Sequence, residues 1–190
     1  MSNYFEDKDF NPKDIKTFVF SVVEFDNCTF NNLELSNSDL SGAKFIDCQF
    51  IDCNISNSKL YKTSFRNTTF RTCKLMGLLF DTINPMLFKV HFVKSNLSNS
   101  SFFDTDLSKS TFQECDLTSV DFSSSNLTKI DFDNCNLVDA VFENTVLKET
   151  NFYSAQNLSI DLEKNRVDNA IFNQNKLRGL LSKYRITIKP

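Results

Sequence analysis

The stretch CDLTSVDFSSSNLTKIDFDNC, residues 115–135, opens and closes on cysteine and places Leu117, Phe122, Leu127 and Phe132 at intervals of five. Two residues ahead of the first three stand Cys115, Val120 and Ser125, which are small or modestly apolar. The other positions are mainly Asn, Asp, Ser, Thr and Lys. The period continues outward, forward through Leu137, Phe142, Leu147 and Phe152 and back through Phe112, Leu107, Phe102, Leu97 and Phe92 to Leu87. Leu and Phe alternate throughout this run. A second register lies upstream, two residues out of phase, and holds Phe20, Phe25, Phe30, Leu35, Leu40, Phe45, Phe50, Ile55, Leu60, Phe65, Phe70, Leu75 and Phe80. Fifteen of the 21 Phe fall on these two registers, so the repeat accounts for the aromatic content.

A period of five matches neither the helical 3.6 nor the strand period of 2. A helix would scatter the fifth residues around its circumference, and an unbroken strand would throw alternate ones to opposite faces. All of them stay inside if the chain turns a corner once per pentapeptide. In the upstream run the identities repeat as Phe25, Phe30, Leu35, Leu40 and then Phe45, Phe50, Ile55, Leu60, a period of 20 that makes four sides per circuit. Circuits stacked at the inter-strand distance of about 4.8 Å place like side chains in ladders along each inner face. The 27 central residues then give about seven coils, a rod of roughly 33 Å at that spacing. With only three Gly and three Pro, the corners must be turned by other residues.

The pattern small, polar, Leu or Phe, polar, polar, as in Cys115-Asp116-Leu117-Thr118-Ser119 and Ser125-Asn126-Leu127-Thr128-Lys129, resembles the pentapeptide-repeat family over about residues 20–152. The resemblance implies an all-β solenoid, a right-handed quadrilateral β-helix, nearest in architecture to the quinolone-resistance branch. The expected organisation is a single domain, with an N-terminal cap at 1–19, coils at 20–80, an interruption at 81–86, coils at 87–155 and a C-terminal cap at 156–190.

The six cysteines all lie two residues before a central position, in pairs 20 apart: Cys28 with Cys48, Cys53 with Cys73, Cys115 with Cys135. Each pair belongs on one face in adjacent coils. That spacing lies within disulfide reach, but side chains in a ladder point in parallel rather than at each other. They read as small apolar lining, reduced in a cytoplasmic setting. No CxxC occurs, and the single His91 supplies no second imidazole for zinc. No metal or other cofactor is expected.

Beyond Phe152, the residues Leu177, Leu180, Leu181 and Tyr184 recur at helical spacing. Asn173 reads as an N-cap, with Phe172 and Leu177 stapled across it, for a short helix over about 174–183 followed by an extended RITI tail. This segment covers the last open coil edge. The resemblance adds a further expectation for Phe172, Leu177, Leu180, Leu181 and Tyr184, a homodimer through the C-terminal segment. In the interruption DTINPM, Asp81, Asn84, Pro85 and Met86 form a turn or small bulge. In the quinolone-resistance branch, loops projecting from the coil contribute to recognition of the topoisomerase, and this insertion of two residues net is far shorter than that branch's larger loop.

The charge is uneven along the chain. Residues 1–86 are net −2, residues 87–155 net −5 and residues 156–190 net +4. Mapped on the period, Glu114, Asp116, Asp131 and Asp133 gather around one corner, Asp121 and Asp139 lie on the next side, and Lys89, Lys109 and Lys129 form a column elsewhere. No catalytic motif is present: no phosphate loop, GxGxxG, HExxH or GxSxG, and His91 sits outward beside Phe92. The expected function is therefore non-catalytic protein binding. The resemblance implies a type II topoisomerase, DNA gyrase or topoisomerase IV, protected from quinolones or toxins by an acidic rod that mimics DNA. The alternative is a scaffold with another protein partner. Direct nucleic-acid binding is not expected, and no run of 18 apolar residues suggests a membrane span.

Overall fold

The computed structural model describes residues 3–14, 19–184 and 186–187. Parallel strands pair residues one circuit apart, Phe25 with Phe45, Phe50 with Phe70 and Phe112 with Phe132. Isolated bridges such as Asp116 with Asn136 and Asn126 with Val146 extend the pairing around the circuit. The result is a right-handed quadrilateral β-helix. Its sides are labelled here by their central residues: side A carries Phe30 and Phe50, side B Leu35 and Ile55, side C Leu40 and Leu60, and side D Phe25 and Phe45.

Three side-chain positions explain the repeat. Two residues after most centres the backbone is left-handed, with Asn27, Asn32, Asn37, Asp47, Asp52, Asn57 and Asn67 at φ between 48° and 58°. Asn and Asp tolerate this region better than other residues with a Cβ, so most corners turn without glycine, and only Gly42 and Gly77 among the described corners use it. One residue before the centre, an Asn or Asp side chain accepts from the backbone N–H two residues on. Asp116 does so from Thr118 (3.1 Å), Asp121 from Ser123 (2.8 Å) and Asn126 from Thr128 (3.1 Å). Two residues before the centre, a buried hydroxyl or thiol donates to a central carbonyl of the preceding coil. Ser58 reaches Leu35 O at 2.6 Å, Thr63 reaches Leu40 O at 2.8 Å and Cys48 reaches Phe25 O at 3.4 Å. Cysteine fills the same slot as Ser and Thr, and all six thiols are free and buried.

The bore is filled by phenylalanine ladders. On side A, Phe10, Phe30, Phe50, Phe70, Phe92, Phe112, Phe132, Phe152 and Phe172 stack with centroids 4.5 to 5.5 Å apart. In the first half a second ladder, Phe5, Phe25, Phe45 and Phe65, runs up adjacent side D. In the second half it runs up opposite side C, through Phe80, Phe102, Phe122 and Phe142. Both arrangements place rings edge to face across the bore, Phe25 with Phe30 at 79° and Phe112 with Phe122 at 90°. The change from a Phe-Phe-Leu-Leu circuit to strict alternation is thus a change of the side that carries the second ladder.

That change happens at the interruption, which differs from the sequence expectation. Leu87 is not a central residue: it is 66% exposed and left-handed at φ 59°, while Phe88 is buried. The regular register resumes at Phe92, paired with Phe70 below and Phe112 above. Eight residues separate buried Phe80 from buried Phe88, and four separate Phe88 from Phe92. The net insertion of two is thus three added and one removed, with an irregularity in pairing where Arg66 and Thr68 meet Lys89 and Val90. The apolar run Met86-Leu87-Phe88 makes either Leu87 or Phe88 a plausible centre, and the larger ring takes the bore.

The coil also runs further than the repeat register. Tyr4–Glu6 and Asp9–Phe10 pair with Glu24–Asp26 and Thr29–Asn31, so coil structure begins within the stretch expected as a cap. At the other end Asn151 bridges Ile171, and Phe172 stacks on Phe152 at 5.4 Å. The C-terminal segment is helical as expected, but of 3-10 type, over Gln174–Leu180 and Ser182–Tyr184. Of the RITI tail, Arg185 and Ile188 lie outside the described residues, and Ile186 and Thr187 carry no regular structure.

Candidate functional site

The carboxylates singled out from the sequence are partly occupied by the fold. The Asp116 carboxylate accepts from Thr118 N (3.1 Å) and Oγ1 (2.6 Å), Asn136 Nδ2 (3.2 Å) and Ser98 Oγ (3.3 Å). Partial burial pushes its pKa up, and these hydrogen bonds outweigh that and hold it below the usual carboxylate value. Asp121 closes its own turn with Ser123. Glu114 is joined to the next coil through its N–H on Asp133 O (2.7 Å), and its side chain pairs with Lys94 at 3.6 Å. Asp133 accepts from Asn134 and Ser154, while Asp131 and Asp139 are exposed. The structure therefore brings Glu114 and Asp133 together and commits Asp116 and Asp121 to turns. Of the lysine column, Lys129 lies 3.6 Å from Glu149.

A different feature emerges at the interruption. After the 3-10 turn Phe80–Thr82, Asn84 accepts from Met86 N at 3.0 Å and the Phe88 N–H donates to Pro85 O at 3.2 Å. This tight turn projects Met86 and Leu87 outward on side D, 62% and 66% exposed. A bulky residue held at positive φ stores backbone strain, on the order of 1–2 kcal/mol. Cations ring the bulge. Arg66 Nη2 lies 3.9 Å from Met86 Sδ, its Nε is buried without a hydrogen-bond partner, and Lys89 pairs beside it in the sheet. Among the described residues no carboxylate pairs with Arg66, Arg71, Lys74 or Lys89.

Residues 59–94 hold seven Lys and Arg but one acid, Asp81, so the middle of the rod is a basic band between the acidic stretches 1–58 and 95–155. Dividing the chain at 86 hid this band, because the division cut through it. A residue-by-residue charge run would have shown it. His91 points outward in the same band, with Nδ1 2.9 Å from Thr111 Oγ1 and Nε2 3.3 Å from Asn67 Oδ1. Burial and nearby Lys89 lower its pKa, which favours the neutral ring.

The C-terminal segment seals the end of the coil. Lys176 Nζ donates to three successive carbonyls, Tyr153 O (3.4 Å), Ser154 O (3.1 Å) and Ala155 O (2.7 Å). Gly179 lies so close to the coil that a Cβ would stand 1.7 Å from Leu158 O. Asn173 caps the segment by accepting from Asn175 N at 2.9 Å, as the sequence suggested. The staple is not formed as expected: Phe172 ends the ring ladder, Leu180 is the buried anchor, Leu181 is half-buried, and Leu177 and Tyr184 are exposed. Lys183 pairs with Asp161 (2.6 Å) and Glu163 (2.8 Å), fastening the segment to the preceding coil. No metal-ligating cluster occurs among the described residues, and no helix among them is long and apolar enough to cross a membrane.

Four sides, left-handed Asn and Asp corners and a ladder of like residues every twenty positions define a pentapeptide-repeat solenoid. The model of the pentapeptide repeat region matches residues 23–84 and 86–172, and the chain belongs to that family. Solved structures agree over the whole rod. A trypsin-treated arginine-to-glutamate variant of QnrB1, a plasmid-mediated fluoroquinolone resistance protein, superposes with a TM-score of 0.62 at 17% identity, covering 100% of this chain and 99% of that one. A trypsin-treated methionine-to-arginine variant of the same protein gives 0.57 at 16% identity, covering 100% of both. These likenesses show the fold. No curated protein matches the sequence.

Proposed function

We propose that the chain is a non-catalytic protein-binding rod whose partner contact is centred on the bulge at Met86 and Leu87. The observation that carries this reading is the bulge itself: two large apolar side chains held outward, one of them at positive φ, and flanked by cations without acid partners. Exposed apolar groups rimmed by charge characterise protein interaction sites. Arg66 and Lys89 suit a partner surface that is acidic around an apolar pocket.

A type II topoisomerase is the specific partner to test. The support is end-to-end likeness of the rod to a fluoroquinolone resistance protein, together with the exposed carboxylates Asp131, Asp139 and Glu114 on the downstream coils. A net charge of −3 is far below the density of duplex DNA, one charge per about 1.7 Å. The acidic residues therefore act as a local contact rather than as a continuous phosphate mimic. The test is DNA gyrase supercoiling with purified protein, with and without a fluoroquinolone. The reading predicts inhibition or drug protection at micromolar protein, weakened by the double substitution Met86→Ser, Leu87→Ser. Neither effect at that concentration would remove the topoisomerase and leave a scaffold with another protein partner.

A further inference from the structure

Met86 is the more exposed of the two described methionines, 62% against 36% for Met76. The turn holds it in place, since its N–H donates to Asn84 Oδ1 at 3.0 Å. Its sulfur faces a guanidinium that lacks an acceptor. Arg66 Nη2 lies 3.9 Å from Sδ, Arg66 Nε is buried without a hydrogen-bond partner, and no carboxylate pairs with Arg66 among the described residues. Nε and Nη2 carry N–H bonds along one edge of the guanidinium, so the orphan donor and the donor beside the sulfur share that edge. A thioether is only a weak acceptor and leaves this edge poorly satisfied.

We propose that Met86 is an oxidation site for hydrogen peroxide and that Arg66 receives the sulfoxide formed there. The Sδ lone pair attacks one peroxide oxygen. The S–O bond forms as the O–O bond breaks, the proton on the attacked oxygen passes to the departing one, and the departing oxygen leaves as water. Sulfur is oxidised to the sulfoxide and the peroxide is reduced to water. The product oxygen is a far stronger acceptor than the thioether. A sulfur-to-nitrogen separation of 3.9 Å leaves room for one oxygen between the two atoms, within hydrogen-bond reach of the Arg66 edge.

The thiols do not compete for the oxidant, because all six are buried while the bulge stands in solvent. The effect on binding rests on the partner contact proposed above. Oxidation turns an apolar anchor into a polar group and engages the cation beside it, so the contact weakens.

Limited peroxide treatment of the full chain, followed by peptide mass spectrometry, tests the site. Met86 should oxidise several-fold faster than Met76 in the folded rod, and the two rates should converge in urea, where both are exposed. Equal rates in the folded rod overturn the site. The role of Arg66 is read from its Nε–H resonance in nitrogen-labelled protein, which oxidation should shift in the native chain and leave unmoved in Met86→Leu. A resonance that does not move, or that moves equally in both proteins, overturns capture by Arg66. Affinity for purified type II topoisomerase should fall several-fold on oxidation of the native chain, and peroxide should not change it in Met86→Leu. Equal affinity of the oxidised and reduced native chains overturns the effect on the contact. Binding by neither form removes the topoisomerase as the partner, while the mass and resonance readouts still decide the oxidation site. Circular dichroism before and after treatment confirms that the coil is intact.

Discussion

At the residue scale, each position of the pentapeptide answers a distinct demand of the backbone. The corner residue takes positive φ, the residue before the centre closes the turn with its side chain, and the residue two before donates to the coil below. The triplets that begin at Asn54, Asn96 and Asn126 are these turns: in Asn54-Ile55-Ser56 the Asn54 side chain accepts from Ser56 N at 3.2 Å. Leu87 is out of place in this scheme, a bulky residue at a corner of φ 59° where Asn is the common solution. Leu87→Asn should raise stability by about 0.5–1 kcal/mol in urea denaturation, because Asn tolerates the left-handed region, while weakening partner binding. No stabilisation would mean that the turn carries no strain.

The cysteines lend themselves to a second test at this scale. Burial pushes the Cys48 thiol up to about 12. Burial raises Cys28 as well. An unfolded thiol ionises near 8.5. Between that value and the folded one, the folded state holds the proton that the unfolded state has lost, so stability falls as pH rises, by up to about 1.4 kcal/mol per unit for each thiol. Chemical denaturation at pH 8, 9 and 10 should show this decline, and Cys48→Ser should make it shallower while keeping a donor in the same slot. An unchanged slope would show that Cys48 does not contribute.

At the element scale, the repeat made most of the coil legible, and its limits have physical causes. A centre is recognised by periodicity, so Phe20 to Phe80 and Phe92 to Phe152 were readable. Phe88 was not, because three added residues and one removed imitate a simple two-residue slip ending at Leu87. The coils at either end were missed because too few repeats remain there to establish a period. Phe5 and Phe10 nevertheless stack on Phe25 and Phe30 at 5.6 and 5.1 Å. The capping segment was recognised by its helical spacing, but which leucine anchors it depends on close approach of backbone at Gly179, which no spacing reveals. Gly179→Ala should lift the segment off the coil at a cost of about 1–3 kcal/mol, seen as faster hydrogen exchange over 153–160, where the Lys176 and Gly179 contacts lie. Unchanged exchange there would mean that the segment does not seal the coil.

At the scale of the whole molecule, the rod is a rigid frame with ladders inside and a patterned surface outside. The composition gave a net charge of −3, but the arrangement is acidic, basic, acidic and again basic along the axis. The basic middle coincides with the strained bulge and with the point at which the second Phe ladder changes sides. The acidic corner was legible as a cluster of letters, yet hydrogen bonding has already engaged Asp116 and Asp121, which a sequence cannot show. The bulge contact is electrostatically framed, so partner binding should weaken as salt rises.

The most direct test of protein binding through the bulge is the affinity of the immobilised rod for purified type II topoisomerase, compared between the native chain and Met86→Ser, Leu87→Ser. Removing two apolar anchors should weaken binding by about tenfold or more, with circular dichroism unchanged. Equal affinity of the two proteins would contradict it, and binding by neither would remove the topoisomerase as the partner.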